Sequence, residues 1–324
     1  MARGRRGNGE PCVGSPLAAN ARILLTDRAQ ALKRRLRAAR RRLSDDAVHD
    51  LRVASRRLRE CLSVLRRIVG GAGYRKPGRA ARRLTRMLGE PRNLDVAHAI
   101  LGRVIAATPD ALESRAAQRY RRRLAPLRRE GRVCLKAGLR RYDHGALAKG
   151  IRNLCRSLRR RRATCLEPEM IEAALRPRLD VAFGLKRRAL VAGNVRAQHR
   201  LRIALKKTRY CLEVLSFAFT EKGLRVLKTL EGFQDLLGRL HDLDVLLADL
   251  RAWGKEQAVA GAAGRAKAVG EPGRDRRAAF AENLCALARR LVRERAAQHR
   301  LFMRRLWPLQ RRRILAELLR NLKT

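Results

Sequence analysis

Apolar residues recur at three- and four-residue spacing through most of the chain, and strand-like alternation is nowhere sustained. The pattern predicts helices near residues 17–43, 47–69, 75–106 and 112–141. A second set is expected near 168–192, 195–219, 221–253 and 274–313. Breakers stand at the limits: Gly70, Gly71 and Gly73, then Pro109, Gly193 with Asn194, and Gly261, Gly264, Gly270 and Pro272. Residues 142–167 read as a connector with some helix, and the Gly- and Ala-rich stretch 254–273 reads as a flexible loop. Residues 1–15 read as a disordered basic tail and 316–324 as a C-terminal tail.

Two motifs occur twice. VHDLRVASRRLR at 48–59 returns as QHRLRIALKKTR at 198–209, an offset of 150. LGEPRNLDV at 88–96 returns as LGRLHDLDV at 237–245, an offset of 149. Two motifs at nearly one offset mark a duplicated unit rather than a duplicated charge cluster. The expected fold is all-α: two four-helix bundle repeats, 17–141 and 168–313, related by a pseudo-twofold axis within one domain over 16–315.

On a helix at 100° per residue, His49, Arg52, Arg56 and Arg59 share an arc of about 80°. Leu51, Ala54, Leu58, Leu62 and Leu65 fall on the opposite side. The second copy repeats this with His199, Arg202, Lys206 and Arg209 against Leu201, Ala204, Leu212 and Leu215. Each helix is expected to pack on its apolar stripe and show a cationic ridge about 15 Å long. A solvated helix usually alternates acids with bases at four-residue spacing, and these ridge positions hold no acid. In the second motif, Asp95 and Asp244 are expected to orient a ridge Arg. Gly89 and Gly238 are expected to let a neighbour approach closely.

Composition turns the ridges into a binding argument. The 324 residues carry 78 Lys and Arg against 29 Asp and Glu, a formal charge of +49. Such an excess repels itself, so a neutralising partner is expected. Arg dominates, and its planar fork suits phosphate oxygens. Seven scattered Cys show no CxxC spacing, which argues against zinc ribbons and a disulfide framework. Cys61 and Cys211 hold one repeat position and read as buried thiols of a reducing, cytoplasmic compartment. No apolar leader or run of 18 apolar residues is seen, so neither a secretory signal nor a membrane span is expected.

At these residues the chain resembles the CHAD family, the conserved histidine α-helical domain. The resemblance rests on HDLRVASRRLR, LGEPRNLDV, QHRLRIALKKTRYCLEV and FQDLLGRLHDLDV, in that order, and covers roughly 17–313. Tyr210, Glu213, Gln234 and Asp235 complete the later segments, while Asn93 stands where the family pattern has Asp. The resemblance implies two helical bundles with a basic central groove or pore. It also implies binding of inorganic polyphosphate, in some members on polyphosphate or polyester storage granules. His49, Arg52, Arg56, Arg59, His199, Arg202, Lys206 and Arg209 inherit the proposed binding role by position, with Arg37, Arg57, Arg187 and Lys207 beside them. The ExExK motif of the triphosphate-tunnel domain that some members carry is absent. A stand-alone, non-catalytic binding module without cofactor or metal is therefore expected.

Nucleic acid is the main rival partner, since it shares the electrostatic attraction. Aromatic residues are only 4%, so platforms for stacking bases are scarce, and nonspecific binding at low salt is what remains. His241-Asp242 makes an HD pair like that of metal-dependent phosphohydrolases. The matching Arg92-Asn93 of the first repeat suits a structural position better than a metal ligand.

Overall fold

The computed structural model describes residues 17–160, 166–265, 272–306 and 308–322. The helices of the first part are α1 (Leu17–Arg41), α2 (Asp45–Ile68), α3 (Arg75–Met87), α4 (Gly89–Ala107), α5 (Ala111–Arg141) and α6 (His144–Arg159). Those of the second are α7 (Pro168–Gly184), α8 (Lys186–Ala189), α9 (Val195–Val214), α10 (Glu221–Arg265), α11 (Pro272–Leu306) and α12 (Arg311–Arg320). No β-strand occurs among the described residues, where Phe219 and Leu322 form an isolated bridge. The fold is all-α, as the apolar period predicts.

The two ridge helices, α2 and α9, start alike. The Ser44 hydroxyl accepts from the Ala47 amide at 3.2 Å, and the Asn194 side chain accepts from the Ala197 amide at 3.0 Å. Each cap satisfies an amide that the first helical turn leaves open. Ser44 and Asn194 also stand 150 residues apart, the offset of the ridge motif. Asp45 and Asp46 in the first turn of α2 and Arg66 and Arg67 in its last complement the helix dipole.

Below the ridges the apolar stripes are covered. Leu51, Leu58, Leu62 and Leu65 are buried on α2, and Leu201, Ala204 and Leu212 on α9, with Leu215 buried just past its end. Each buried Leu contributes about 1.5–3 kcal/mol. The larger core cluster takes residues from α1, α2, α6, α7, α9, the first part of α10 and α12. A smaller one joins α4 and α5 to Leu243–Trp253 of α10 and Leu287 and Leu291 of α11. Each cluster therefore draws on both halves of the chain.

Several boundaries differ from the sequence reading. The helix expected over 75–106 breaks at Leu88, because Pro91 cannot donate to the Met87 carbonyl and is tolerated only in the first turn of a new helix. The stretch 168–192 breaks after Gly184 and 195–219 after Val214. Pro308 follows the end of α11, so 274–313 is two helices.

Residues 254–265 are helical rather than a loop. A Cβ on Gly254 would lie 2.9 Å from Leu284 Cδ2, so the glycine lets α10 and α11 approach instead of ending the helix. Residues 266–271 lie outside the described residues. Within the connector, α6 is capped by Asp143 and buries Leu147, Ile151, Leu154 and Leu158. Residues 316–320 are no tail: α12 runs to Arg320 with Leu318 fully buried. The tail expected at 1–15 lies outside the described residues.

Candidate functional site

The charges of Arg52 and Arg56 on α2 act on Arg202 and Lys206 on α9, so two rows distant in sequence form one cationic cluster. Lys206 is half-buried on α9. Burial, then the cations of Arg202, Arg56, Arg52 and Arg59, push its pKa down to about 7. Burial, then Arg56, Arg202 and Arg92, push Arg52 down to about 10, with Asp242 opposing. Burial lowers Arg202 as well, with Asp242 again opposing and Arg56 adding to the effect. Like charges a few ångströms apart near a protein surface repel by about 1–4 kcal/mol. Arg52, Arg56, Arg202 and Lys206 are therefore a strained centre.

The histidines lie at its margin. His199 Nδ1 is 3.3 Å from His241 Nδ1, with ring centres 4.7 Å apart. Such a contact needs one donor and one acceptor, so the two facing nitrogens cannot both carry protons. Burial, then Arg202, His199 and Lys206, push His241 down to about 4. Burial, Arg202 and Lys206 lower His199. His49 sits at the exposed start of α2, where partial burial of the ring and then Arg92 lower its pKa. His49 beside Arg92 and His199 beside His241 are matching pairs from the two halves.

The remaining predicted residues are placed differently. Arg59 donates to Glu60 from Nη2 at 2.6 Å and from Nε at 3.1 Å. Arg209 lies 3.5 Å from both Glu213 and Glu231. Arg57 Nε lies 3.3 Å from Glu213 Oε2, so the charge of Arg57 is also opposed. Tyr210 lies under Arg209 at 4.7 Å and Arg56 at 5.7 Å. Burial, then Lys33, Arg40 and Arg37, lower His144 of α6, so the charge of Arg37 acts there. Arg187 is exposed on α8. Lys207 is exposed and, with Arg59, lines a cleft of about 900 Å³ between α2, α3, α7 and α9.

The aspartates do not orient ridge arginines, contrary to expectation. Asp95 is buried and accepts from Arg128 at 2.8 Å and Arg132 at 3.0 Å, both on α5. Asp244 accepts from Arg295 of α11. These arginines then reach the starts of the ridge helices. Arg132 donates to the Leu43 carbonyl and to Asp45 at the head of α2. Arg295 donates to the Ala192 carbonyl at 3.0 Å and to Gln198 at 2.7 Å at the head of α9. Support thus passes through the backbone at the helix entrance, by the same wiring in both halves.

Close approach at the glycines is not seen either. Arg52 Nη1 donates to the Leu88 and Gly89 carbonyls at 3.0 Å each, and a Cβ on Gly89 would meet it at an ordinary 3.8 Å. Nothing lies within 4 Å of one on Gly238.

His241, Asp242 and Arg92, which the sequence reading weighed only as a metal or structural pair, also meet the cluster. Burial raises the Asp242 carboxyl while Arg202, Arg92, Arg52 and Arg103 pull it down, so it is the counter-charge of the cluster. The signal was present in the second motif, where His241-Asp242 aligns with Arg92-Asn93. His241, Asp242 and Arg92 act on the ridge cations rather than serving structure alone.

A family model for the CHAD domain matches residues 22–251. The chain belongs to the CHAD domain family. That match ends inside α10, yet the likeness to solved structures runs further. The crystal structure of the CHAD domain from the plant Ricinus communis superposes with a TM-score of 0.68 at 17% identity, over 96% of this chain and 98% of that one. PptA from Streptomyces chartreusis superposes with a TM-score of 0.60 at 16% identity, over 91% and 100%. At such identities the likeness is one of fold. No curated protein matches the chain in sequence. No helix of the described residues is long and apolar enough to cross a membrane.

Proposed function

We propose that this CHAD protein binds inorganic polyphosphate, without catalysing its conversion, on the cluster shared by α2 and α9. The observation that carries the reading is Lys206, held down to about 7 among Arg202, Arg56, Arg52 and Arg59. A fold that gathers these charges with Asp242 opposing Arg52 and Arg202 gains when an outside anion supplies the rest. Phosphate oxygens accept from guanidinium and ammonium groups, and each such charge-assisted bond offsets part of the repulsion. Membership of the family points to the same ligand class.

Polyphosphate is favoured over nucleic acid because Tyr210, the phenol ring beneath the ridge, is closed to a stacking base. Tyr210 is only 4% exposed and lies against two guanidinium groups. His241 and Asp242 are engaged by His199 and the arginines, which supports anion binding rather than metal chemistry. The matched caps of Ser44 and Asn194 and the matched wiring of Asp95 and Asp244 support two repeats related by a pseudo-twofold axis, with the ridges facing across it. Polymer at the surface of a storage granule would engage the same cluster.

The test is competition between long-chain polyphosphate and duplex DNA at equal charge concentration and physiological salt. Polyphosphate should win by at least tenfold, and its affinity should fall steeply with salt. Parity, or a DNA preference, refutes the reading. A folded variant with Arg52, Arg56, Arg202 and Lys206 all changed to Gln should lose most of the affinity; undiminished binding would place the site elsewhere.

A further inference from the structure

The cleft of about 900 Å³ that takes Lys207 away from the cluster is built differently from the ridge. Arg75, Arg79 and Arg82 enter it from one face of α3, and Arg66 and Arg67 from the last turn of α2. Arg178 of α7 and Lys207 of α9 close the other side. Glu60 is the one acid of its lining, and it already accepts from Arg59. Arg66, Arg67, Arg75, Arg79, Arg82 and Lys207 make no ion pair with any described residue.

We propose that this cleft is a second anion site, separate from the cluster, for a compact organic molecule carrying several phosphates on a carbon ring. A ridge suits a string of phosphates in line. Cations converging from four helices on one volume suit phosphates that point outward in several directions. Between the cations the wall offers exposed carbon surface at Pro177 and Val181. That surface has no counterpart on an all-phosphate chain and gives a ring something to pack on. The volume falls in the range of about 300–1,000 Å³ common to small-molecule sites. The inference does not depend on the ridge binding polyphosphate.

Gly78 provides a probe that leaves the charge unchanged. It lines the cleft, and nothing lies within 4 Å of a Cβ placed on it, so Gly78→Trp fills the space from an unstrained helix position. Calorimetry on the full chain at physiological salt would compare myo-inositol hexakisphosphate with a linear hexaphosphate. The ring compound should bind at least fivefold tighter than the linear one. Its affinity should fall at least tenfold in Gly78→Trp and in the triple variant Arg75→Gln, Arg79→Gln, Arg82→Gln. It should change less than twofold in the double variant Arg52→Gln, Lys206→Gln, whose binding of long polyphosphate reports the ridge separately. The proposal is overturned if the ring compound does not bind, if the linear one binds equally well, or if the loss follows the ridge variant instead of the cleft variants.

Discussion

Glu213 of α9 holds Arg57 of α2 at 3.3 Å, and this contact joins the two ridge helices beside the cationic centre. Glu213 is 9% exposed and also lies 3.5 Å from Arg209. Neutralising it leaves two guanidinium groups facing each other across the helix pair. Arg57 is partly exposed, so solvent screens some of that cost. Glu213→Gln should lower stability by about 1–2 kcal/mol, read as a shift of the urea midpoint at unchanged slope.

The clamp at the head of α2 should be more sensitive. Asp95 is buried and takes both Arg128 and Arg132, which together tie α5 to α4 and to the start of α2. Asp95→Ala removes the buried carboxylate that both arginines share and leaves them only the exposed Asp45, so it should cost about 1–3 kcal/mol. Asp95→Asn keeps the shape and part of the hydrogen bonding, so it should cost less. Equal stability of wild type and Asp95→Ala in thermal and urea unfolding would contradict the account.

Lys206 should make polyphosphate binding depend on pH. Its folded pKa, about 7, lies below the ordinary Lys value of 10.5. Between those two values the unfolded chain holds the proton more tightly, so this group makes the fold more stable as pH rises from 7 towards 10.5. A bound polyanion favours the charged ammonium, so binding takes up a proton when pH exceeds 7, and affinity falls as pH rises. Calorimetry at pH 8 in buffers of different ionisation enthalpy should show this uptake. Lys206→Arg, charged throughout, should abolish most of it.

Asp242 competes with the ligand for Arg202 and Arg52. The first half carries Asn93 at the matching position, so the amide has a precedent within the chain. Asp242→Asn should raise polyphosphate affinity by about three- to tenfold, in line with about 1 kcal/mol of relieved repulsion. A titration showing weaker binding by the variant would mean that Asp242 positions the arginines more than it opposes the ligand.

The cysteines should react in two classes. Burial pushes the Cys61 and Cys211 thiols up to about 12 and about 11, whereas Cys134 and Cys285 are exposed. Brief alkylation of the native protein, read by mass spectrometry, should label Cys134 and Cys285 and spare Cys61 and Cys211 until the chain unfolds.

Much of this was legible in one dimension. A helix places every third or fourth side chain on one face, so the opposition of His49, Arg52 and Arg56 to Leu51, Leu58 and Leu62 follows from spacing alone. Ser44 and Asn194, whose side chains cap the two ridge helices, also stand 150 residues apart, the offset of the ridge motif. Boundaries were harder to read, because glycine breaks a helix only where packing does not reward it. Gly254 serves the contact of α10 with α11 and remains helical.

What the sequence determined by itself was the helical class, two motifs that each occur twice, and two amphipathic ridges carrying an unbalanced positive charge. What only the tertiary structure decided was which charges meet. Glu60, Glu213 and Glu231 oppose Arg59, Arg57 and Arg209, while Arg52, Arg56, Arg202 and Lys206 are left facing one another. The physical reason is range. Helical periodicity is set within a few residues along the chain, whereas the charge that a side chain feels is set by groups a few ångströms away and up to 190 residues distant in sequence, as Asp242 is from Arg52.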